Sequence, residues 1–125
     1  KVSNFAFDTP RNILYISDRN FISGYQLSNG RQCMHVSFDG YFKTISIFVL
    51  AVDKQGRIFF DNRKEGNIYS FSPTERKVYL EINGADYMDV FSHRVWFPLR
   101  CVFLRQSVYV ADFQTGSIYV FKKES

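Results

Sequence analysis

Residues 57–62 read RIFFDN and residues 66–71 read GNIYSF, and this pair of short apolar runs decides the fold. The same design returns as SVYVAD at 107–112 and GSIYVF at 116–121, displaced by fifty residues in both halves. Repetition with a period of about 20 to 50 residues is typical of architectures that stack copies of one structural unit. The sequence therefore predicts a repeat protein rather than a fold with a single layered core.

A third copy lies upstream, with ILYISD at 13–18 and ISGY at 22–25. It is displaced by 44 residues in its first half and 46 in its second, so its loop is two residues shorter. Each copy reads as two strands rich in Ile, Val, Tyr and Phe that are joined by a polar turn. Further apolar runs flank these pairs before and after, at residues 5–8, 32–38, 49–53, 77–82 and 101–104.

Four antiparallel strands in a unit of roughly 45 residues form the blade of a β-propeller. The sequence therefore predicts an all-β fold of about three four-stranded blades, within one segment that spans residues 1–125. The units are expected at about 3–40, 45–83 and 99–125, and the last lacks its outer strand. A sandwich is disfavoured because the middle strands are apolar on both faces. Substantial helix is not expected, although residues 85–91 carry a weak helical pattern.

Composition agrees with this fold, since 18% of the 125 residues are aromatic and such residues favour pleated, half-buried surfaces. No window approaches the roughly 18 apolar residues of a membrane-spanning helix. The net charge of +4 is scattered along the chain, which argues against a focused nucleic-acid surface.

These residues resemble the NHL-type propeller repeat. Residues 51–60 match the apolar-Asp and Gly-turn opening of that pattern, and residues 68–71 match its Gly-x-Ile-x-x-Phe close. The resemblance covers most of the chain and is weakest across residues 82–98. Residues 14–26 and 47–60 are also similar, more loosely, to the insect yellow and royal-jelly family of six-bladed propellers.

Three blades are fewer than the six that such families close, so the resemblance implies an incomplete ring. Two apolar sheet faces would be left in water, which exceeds the patch size that monomers usually show. We expect a fragment of a larger ring, a partner chain that completes it, or self-association. The chain begins with Lys1 rather than Met, which favours a processed, secreted or extracellular piece.

The two cysteines are too few for a disulfide framework and fit no metal-ligand spacing. Cys33 falls in an outer strand of the first unit and Cys101 in an inner strand of the third. We therefore expect two free, buried thiols that are not bonded to each other.

Candidate binding residues lie in the loops that follow the second strand of each unit, because these loops differ among otherwise similar copies. They are Arg19, Asn20, Arg63, Lys64, Phe113 and Gln114. The basic members suit an acidic partner, or RNA as some NHL propellers bind it, although solvated basic side chains are common on any surface. Tyr87 and Trp96 join the set because the segment 83–98 departs from the repeat and carries hot-spot residue types. Packing of Trp96 in the wedge between blades is the favoured explanation of this residue.

Catalytic groups are not indicated. The aligned column Asp18, Asn62 and Asp112 could form a metal ring as in calcium-dependent propeller lactonases, but recurrence in every unit favours a role in closing turns. His35 and His93 are too few for a zinc site, and a Cys33–His35 pair lacks an orienting group. No cofactor or metal is expected. The leading hypothesis is a non-catalytic scaffold that binds a protein partner; the alternatives are a yellow-like carrier of a small ligand and a metal-dependent lactonase-like hydrolase.

Overall fold

A computed structural model describes residues 1–63, 65–87, 98–104, 106–112 and 116–122. Its eleven strands form three antiparallel sheets, which confirms the all-β prediction. The first sheet contains β1 (Asn4–Asp8), β2 (Ile13–Ser17), β3 (Phe21–Gln26) and β4 (Gln32–Ser37). The second contains β5 (Ile47–Val52), β6 (Ile58–Asn62), β7 (Ile68–Ser72) and β8 (Lys77–Ile82). The third contains β9 (Pro98–Leu104), β10 (Ser107–Asp112) and β11 (Ile118–Lys122).

Each sheet is a meander in which consecutive strands are hydrogen-bonded neighbours. The turns between strands explain the positions of the polar residues in the repeat. At the β5–β6 turn, Asp53 Oδ1 accepts the backbone N–H groups of Gln55 and Arg57, at 3.0 and 2.9 Å. Gly56 supplies the positive φ of 86° that this turn requires. The Asp and Gly of the repeat pattern therefore fix strand direction.

The sheets pack face to face in sequence order, and each contact buries a core. The first interface, between the first and second sheets, is apolar and includes Ala6, Ile13, Tyr15, Ile22, Val36, Phe38, Ile47, Val49, Ile58, Phe60 and Phe71. The second interface, between the second and third sheets, includes Leu50, Phe59, Ile68, Ile82, Cys101, Val108, Val110 and Phe121. The middle sheet contributes to both cores, as a blade between two other blades must.

The strands β1, β5 and β9 lie side by side at the inner edges of their sheets. Polar side chains join them, since Asn4 Nδ2 donates to the carbonyl of Val49 at 2.7 Å and Ser3 Oγ donates to that of Ile47 at 2.8 Å. The buried Ser17 hydroxyl accepts the N–H of Val49. This order of sheets about a common inner side is that of successive propeller blades.

Two sheet faces remain uncovered in the described part of the chain. The first outer face is the side of the first sheet that carries Phe5 and Phe7, and the third outer face is the side of the third sheet that carries Val102, Ile118 and Val120. All five of these apolar side chains are exposed. β6 is buried at every residue, whereas β10 alternates between buried and half-buried positions because no described residue covers its second face.

Some expectations need adjustment. Both cysteines are free, which confirms that they are not bonded to each other, but only Cys101 is buried. The expectation of a buried Cys33 is wrong, because β4 is the edge strand of its sheet and most of its side chains reach solvent. The weak helical pattern at 85–91 gives a 3-10 helix at Gly84–Tyr87, and residues 88–91 lie outside the described part of the chain. Within the described residues, we find no helix with the length and hydrophobicity to cross a membrane.

Candidate functional site

The β2–β3 turn is tied to the connection that leads from the first sheet to the second. The carbonyl of Asn20 accepts the N–H of Phe38 at 2.8 Å, and the carbonyl of Arg19 accepts the N–H of Ile47 at 2.9 Å. The side chain of Arg19 donates from Nε to the carbonyl of Ile45 at 3.4 Å. The β2–β3 turn is therefore hydrogen-bonded to both ends of the connection and holds residues 38–47 in one surface.

The β6–β7 turn approaches the same connection from its other side. Arg63 donates its backbone N–H to the carbonyl of Ser46 at 2.8 Å. Asn62 Oδ1 accepts the N–H of Ser46 at 2.6 Å, and its Nδ2 donates to the carbonyl of Thr44 at 2.7 Å. The structure thus brings Arg19, Asn20 and Arg63 to one surface. We call this surface the loop platform and define it as Arg19, Asn20, residues 38–47, Asn62 and Arg63.

An aromatic cluster supports the loop platform from below. Phe38 is fully buried, with its ring centroid 4.8 Å from that of Phe60, and the Phe42 ring lies 5.0 Å from that of Tyr69. Tyr41 packs edge-on against Phe38 at 5.8 Å, yet half of its surface is exposed. Sequence reasoning missed Tyr41 and Phe42. The signal that could have found them is the aromatic pair directly after Asp39-Gly40, in a segment that belongs to no strand.

The two arginines of the loop platform differ in burial and in charge pairing. Arg63 NH1 lies 3.4 Å from Asp61 Oδ2, and the guanidinium sits 3.5 Å above the centre of the Phe48 ring. Burial lowers the pKa of Arg63, and burial raises the pKa of Asp61 to about 7, an effect that the Arg63 charge offsets only in part. Arg19 is exposed. The described loop platform therefore presents two exposed basic side chains, Arg19 and Lys43, together with the exposed carboxylate of Asp39.

The aligned Asx column does not act uniformly. Asp18 accepts the N–H of Arg19 and so closes its own turn, as expected for a structural role. Asn62 instead holds the connection between two sheets, and the backbone of Asp112 bonds Gly116 and Ser117. Among the described residues, no three or more His, Cys, Asp or Glu side chains converge as metal ligands would. The ring of carboxylates required by the lactonase alternative therefore gains no support there.

The exposed side chain of His35 is engaged with neighbours in the first sheet. Its Nδ1 lies 2.8 Å from the hydroxyl of Ser23, and its ring centroid is 5.0 Å from that of Phe21.

The other predicted site residues are described only in part. Lys64, Phe113, Gln114 and Trp96 lie outside the described residues, as does His93. Tyr87 ends the 3-10 helix, and its side chain also falls outside the described part.

An open groove of about 440 Å³ follows the inner strands β1, β5 and β9. Phe5, Phe7 and Phe103 give it an aromatic lining, while Lys54 and Arg100 add positive charge. Asp53 also lines the groove, and its carboxylate is paired with Arg57. A groove that combines apolar walls with an excess of positive charge suits an amphipathic anion.

Comparison with known proteins was made by family, by sequence and by structure. No family model and no curated protein matches the chain. Among solved structures, the extracellular domain of the putative one component system BT4673 from B. thetaiotaomicron matches with a TM-score of 0.59 and 16% identity. That match covers 95% of this chain and 16% of the other. The extracellular domain described as the putative hybrid two component system BT4673 gives 0.58 and 14%, over 99% of this chain and 17% of the other.

These matches concern the fold. The chain spans about a sixth of the length of the two structures, and their identity to it is low. The likeness agrees with a partial β-propeller-like domain built from successive antiparallel sheets. It does not extend to the NHL repeat type itself.

Proposed function

We propose that this chain is a non-catalytic β-propeller segment that binds a protein partner through the loop platform. The observation that carries the proposal is the half-exposed Tyr41, which stands on the buried Phe38 ring and shares the loop platform with the exposed Arg19. Tyr and Arg dominate the binding energy of protein interfaces because each offers a large contact area together with a polar group.

Rigidity of the loop platform supports the same conclusion. Residues 38–47 are held by backbone hydrogen bonds to Arg19, Asn20 and Arg63 rather than left as a free loop. A surface that is ordered before binding loses less conformational entropy when a partner docks. Variable segments on a fixed scaffold are also where repeat proteins carry their binding residues.

The two exposed outer faces indicate what surrounds this segment in the complete assembly. We propose that further sheets cover these faces, so that the chain functions as part of a larger ring. The two structural neighbours are extracellular domains, and on that basis we propose an extracellular or secreted location for this chain.

A paired substitution tests the loop platform. We expect Arg19→Ala with Tyr41→Ala to weaken partner capture by at least tenfold, because both anchors are removed from a surface that keeps its buried support. The matched control is Leu27→Ala with Arg31→Ala, which removes an exposed apolar and an exposed basic side chain at the opposite end of the sheets. The wild type, the variant and the control are immobilised separately, and the amount of partner protein that each one retains is measured. Equal retention by the loop-platform variant and the control would refute the proposal.

A second candidate is a small amphipathic anion bound in the inner-strand groove, in line with the yellow-like alternative. The aromatic lining and the exposed Arg100 favour it. Titration with a fluorescent fatty acid should give saturable binding that Arg100→Gln weakens about tenfold, while the exposed control Arg31→Gln leaves it unchanged. Identical affinities in the two variants would remove this candidate.

A further inference from the structure

The outer faces of the first and third sheets match the two sides of the interfaces that the chain already contains. Because the sheets are repeats, each exposed position has a counterpart in the middle sheet, whose two faces are both covered. Comparison of these counterparts shows what each outer face is shaped to contact.

On the third outer face, Ile118 lies fifty residues after Ile68 in the repeat, and the two residues hold the same place in their sheets. Ile68 is 0% exposed because the third sheet covers it, whereas Ile118 is 69% exposed. Tyr109 likewise corresponds to the buried Phe59. The third outer face is therefore a blade face that no blade among the described residues covers.

The first outer face shows the complementary situation. Strand pairing places Phe5 opposite Ile16 as it places Val49 opposite Phe60, so Phe5 and Val49 are counterparts. Val49 is 0% exposed against the first sheet, whereas Phe5 is 46% exposed. The first outer face is therefore a blade face left without a preceding blade in the part of the chain that the structure describes.

The repeat also fixes which outer face can meet which. In the first interface, the side of the first sheet that carries Ile13, Tyr15, Ile22 and Val36 meets the side of the second sheet that carries Val49, Ile58, Phe60 and Phe71. The first outer face, with Phe5, Phe7, Leu14 and Ile16, holds the place of that side of the second sheet, since Phe5 is the counterpart of Val49. The third outer face, with Val102, Tyr109, Ile118 and Val120, holds the place of that side of the first sheet, since Ile22, Ile68 and Ile118 are counterparts. Contact between the two outer faces therefore reproduces the first interface, whereas contact of either face with itself does not.

We propose that a second copy of this chain seats its first outer face on the third outer face, and that two copies close into a six-sheet ring. This inference rests on the part of the proposed function that covers both outer faces with further sheets, and it names the occupant. Both complementary faces belong to one chain, so head-to-tail contact between copies satisfies them together. Such contacts form a closed ring when the rotation between copies closes, and six sheets fall within the range of four to eight blades that propellers adopt.

Sedimentation of the wild-type chain at high micromolar concentration gives the first test. One chain has a mass of 14.7 kDa, and a closed pair has twice that mass. A single species with the mass of two chains supports the proposal. A monomer at this concentration, or a ladder of longer assemblies, overturns the closed ring of two copies.

Two blocked variants establish the direction of contact. The first-face variant carries Phe5→Asp and Phe7→Asp, and the third-face variant carries Val102→Asp and Ile118→Asp; all four positions are exposed in the single chain. Each variant alone should sediment as a monomer, because each lacks one member of every contact. Their equimolar mixture should recover a species with the mass of two chains, since the first-face variant keeps its third outer face and the other keeps its first. Dimerisation of either variant alone would overturn head-to-tail contact.

Two controls keep this result separate from folding and from the loop platform. Leu80→Asp introduces the same charge at an exposed apolar residue of β8, on neither outer face, and should leave the dimer intact. Tyr41→Ala should also leave the dimer intact while it weakens partner capture. Far-ultraviolet circular dichroism confirms that each variant keeps its sheets, and the wild-type mass decides the proposal even where a variant unfolds.

Discussion

The first and second interfaces join the same kind of sheet, yet their chemistry differs. The buried cluster of the first interface consists of aromatic and aliphatic side chains. At the second, Asp61 is buried and the Cys101 thiol belongs to the core itself. Burial, with a smaller contribution from the charge of Asp61, raises the pKa of Cys101 to about 12. The comparison teaches that one repeated backbone can support two interfaces of different chemistry, and that the second contains a buried carboxyl group whose pKa is raised.

Asp61 is the unusual member of its repeat column. Its counterparts are Ser17 in the first sheet and Ala111 in the third. Its Oδ2 pairs with Arg63, whereas its Oδ1 is buried without a hydrogen-bond partner among the described residues. An ionised carboxylate that is buried with only one oxygen satisfied is costly, so the neutral acid is favoured.

The largest expected effect lies in the first interface. Phe60→Ala should lower the free energy of unfolding by about 3–5 kcal/mol, because the fully buried ring contacts Phe38, Phe42 and Tyr69 and its loss leaves a cavity. Urea denaturation provides the measurement. Leu80→Ala, at an exposed apolar position, should change stability by no more than about 0.5 kcal/mol. Similar losses in the two variants would show that this core is not the main contact.

The pH dependence of stability should come from the second interface. The pKa of Asp61 is about 7 in the folded chain and about 4 when unfolded, so the folded state binds this proton more tightly. The favourable contribution is complete below pH 4 and is lost as pH rises through 7. Between pH 5 and pH 7 the loss is about 2 kcal/mol, because each pH unit in this range corresponds to about 1.36 kcal/mol.

Asp61→Asn isolates that contribution, because the amide keeps the shape of the side chain and does not titrate. Urea denaturation of wild type and variant at pH 5, 6 and 7 should give a difference in stability that shifts in favour of the variant as pH rises. A constant difference across this range would mean that Asp61 is ionised throughout.

Alanine substitution of two glycines should cause smaller losses of stability, and the two losses should differ in size. A Cβ on Gly84 would lie 2.1 Å from the carbonyl oxygen of Gly66, which is backbone and cannot move aside easily. A Cβ on Gly24 would lie 2.6 Å from the ring of the buried Tyr15, which must shift but is a side chain and not backbone. We expect Gly84→Ala to cost about 2–3 kcal/mol and Gly24→Ala about 1 kcal/mol, in the range typical of overpacking. Thermal unfolding of both variants measures this order, and its reversal would contradict the packing at Gly84.

The smallest effect concerns the thiols and does not change stability. Cys33 is exposed, whereas Cys101 is buried and its pKa is raised to about 12 by that burial. At pH 8, iodoacetamide should label one cysteine per native chain, and mass spectrometry should find it at Cys33. Labelling of both thiols in urea provides the control. Rapid native labelling of Cys101 would show that the second interface opens readily.

The repeat offset made the sheets predictable because strands and turns depend on local patterns of apolar residues, Asp and Gly. The bounds expected for β8 agree with the structure, and those for β4 differ by one residue. Separation of Cys33 from Cys101 followed from the same strand order.

The loop platform was predictable only in part. Arg19, Asn20 and Arg63 were found as loop residues that differ among copies. The support from Phe38 and Phe42 depends on rings contributed by a different sheet, and no local pattern reports such contacts. Burial of Asp61 was missed for the same reason, since an Asp at the end of a strand usually indicates a turn.

The complete burial of β6 has a consequence for motion. Among the described sheets, only the middle one has a neighbour on both faces, so opening it requires that one of the other sheets first detach. In a single copy the sheets form a linear stack in which each unit contacts only adjacent units, so local unfolding begins at the ends and moves inward. In the monomeric first-face variant, native-state amide hydrogen exchange should therefore be slowest in β6 and β7 and faster in the first and third sheets. Limited proteolysis should accordingly release an end sheet before it cuts the central one.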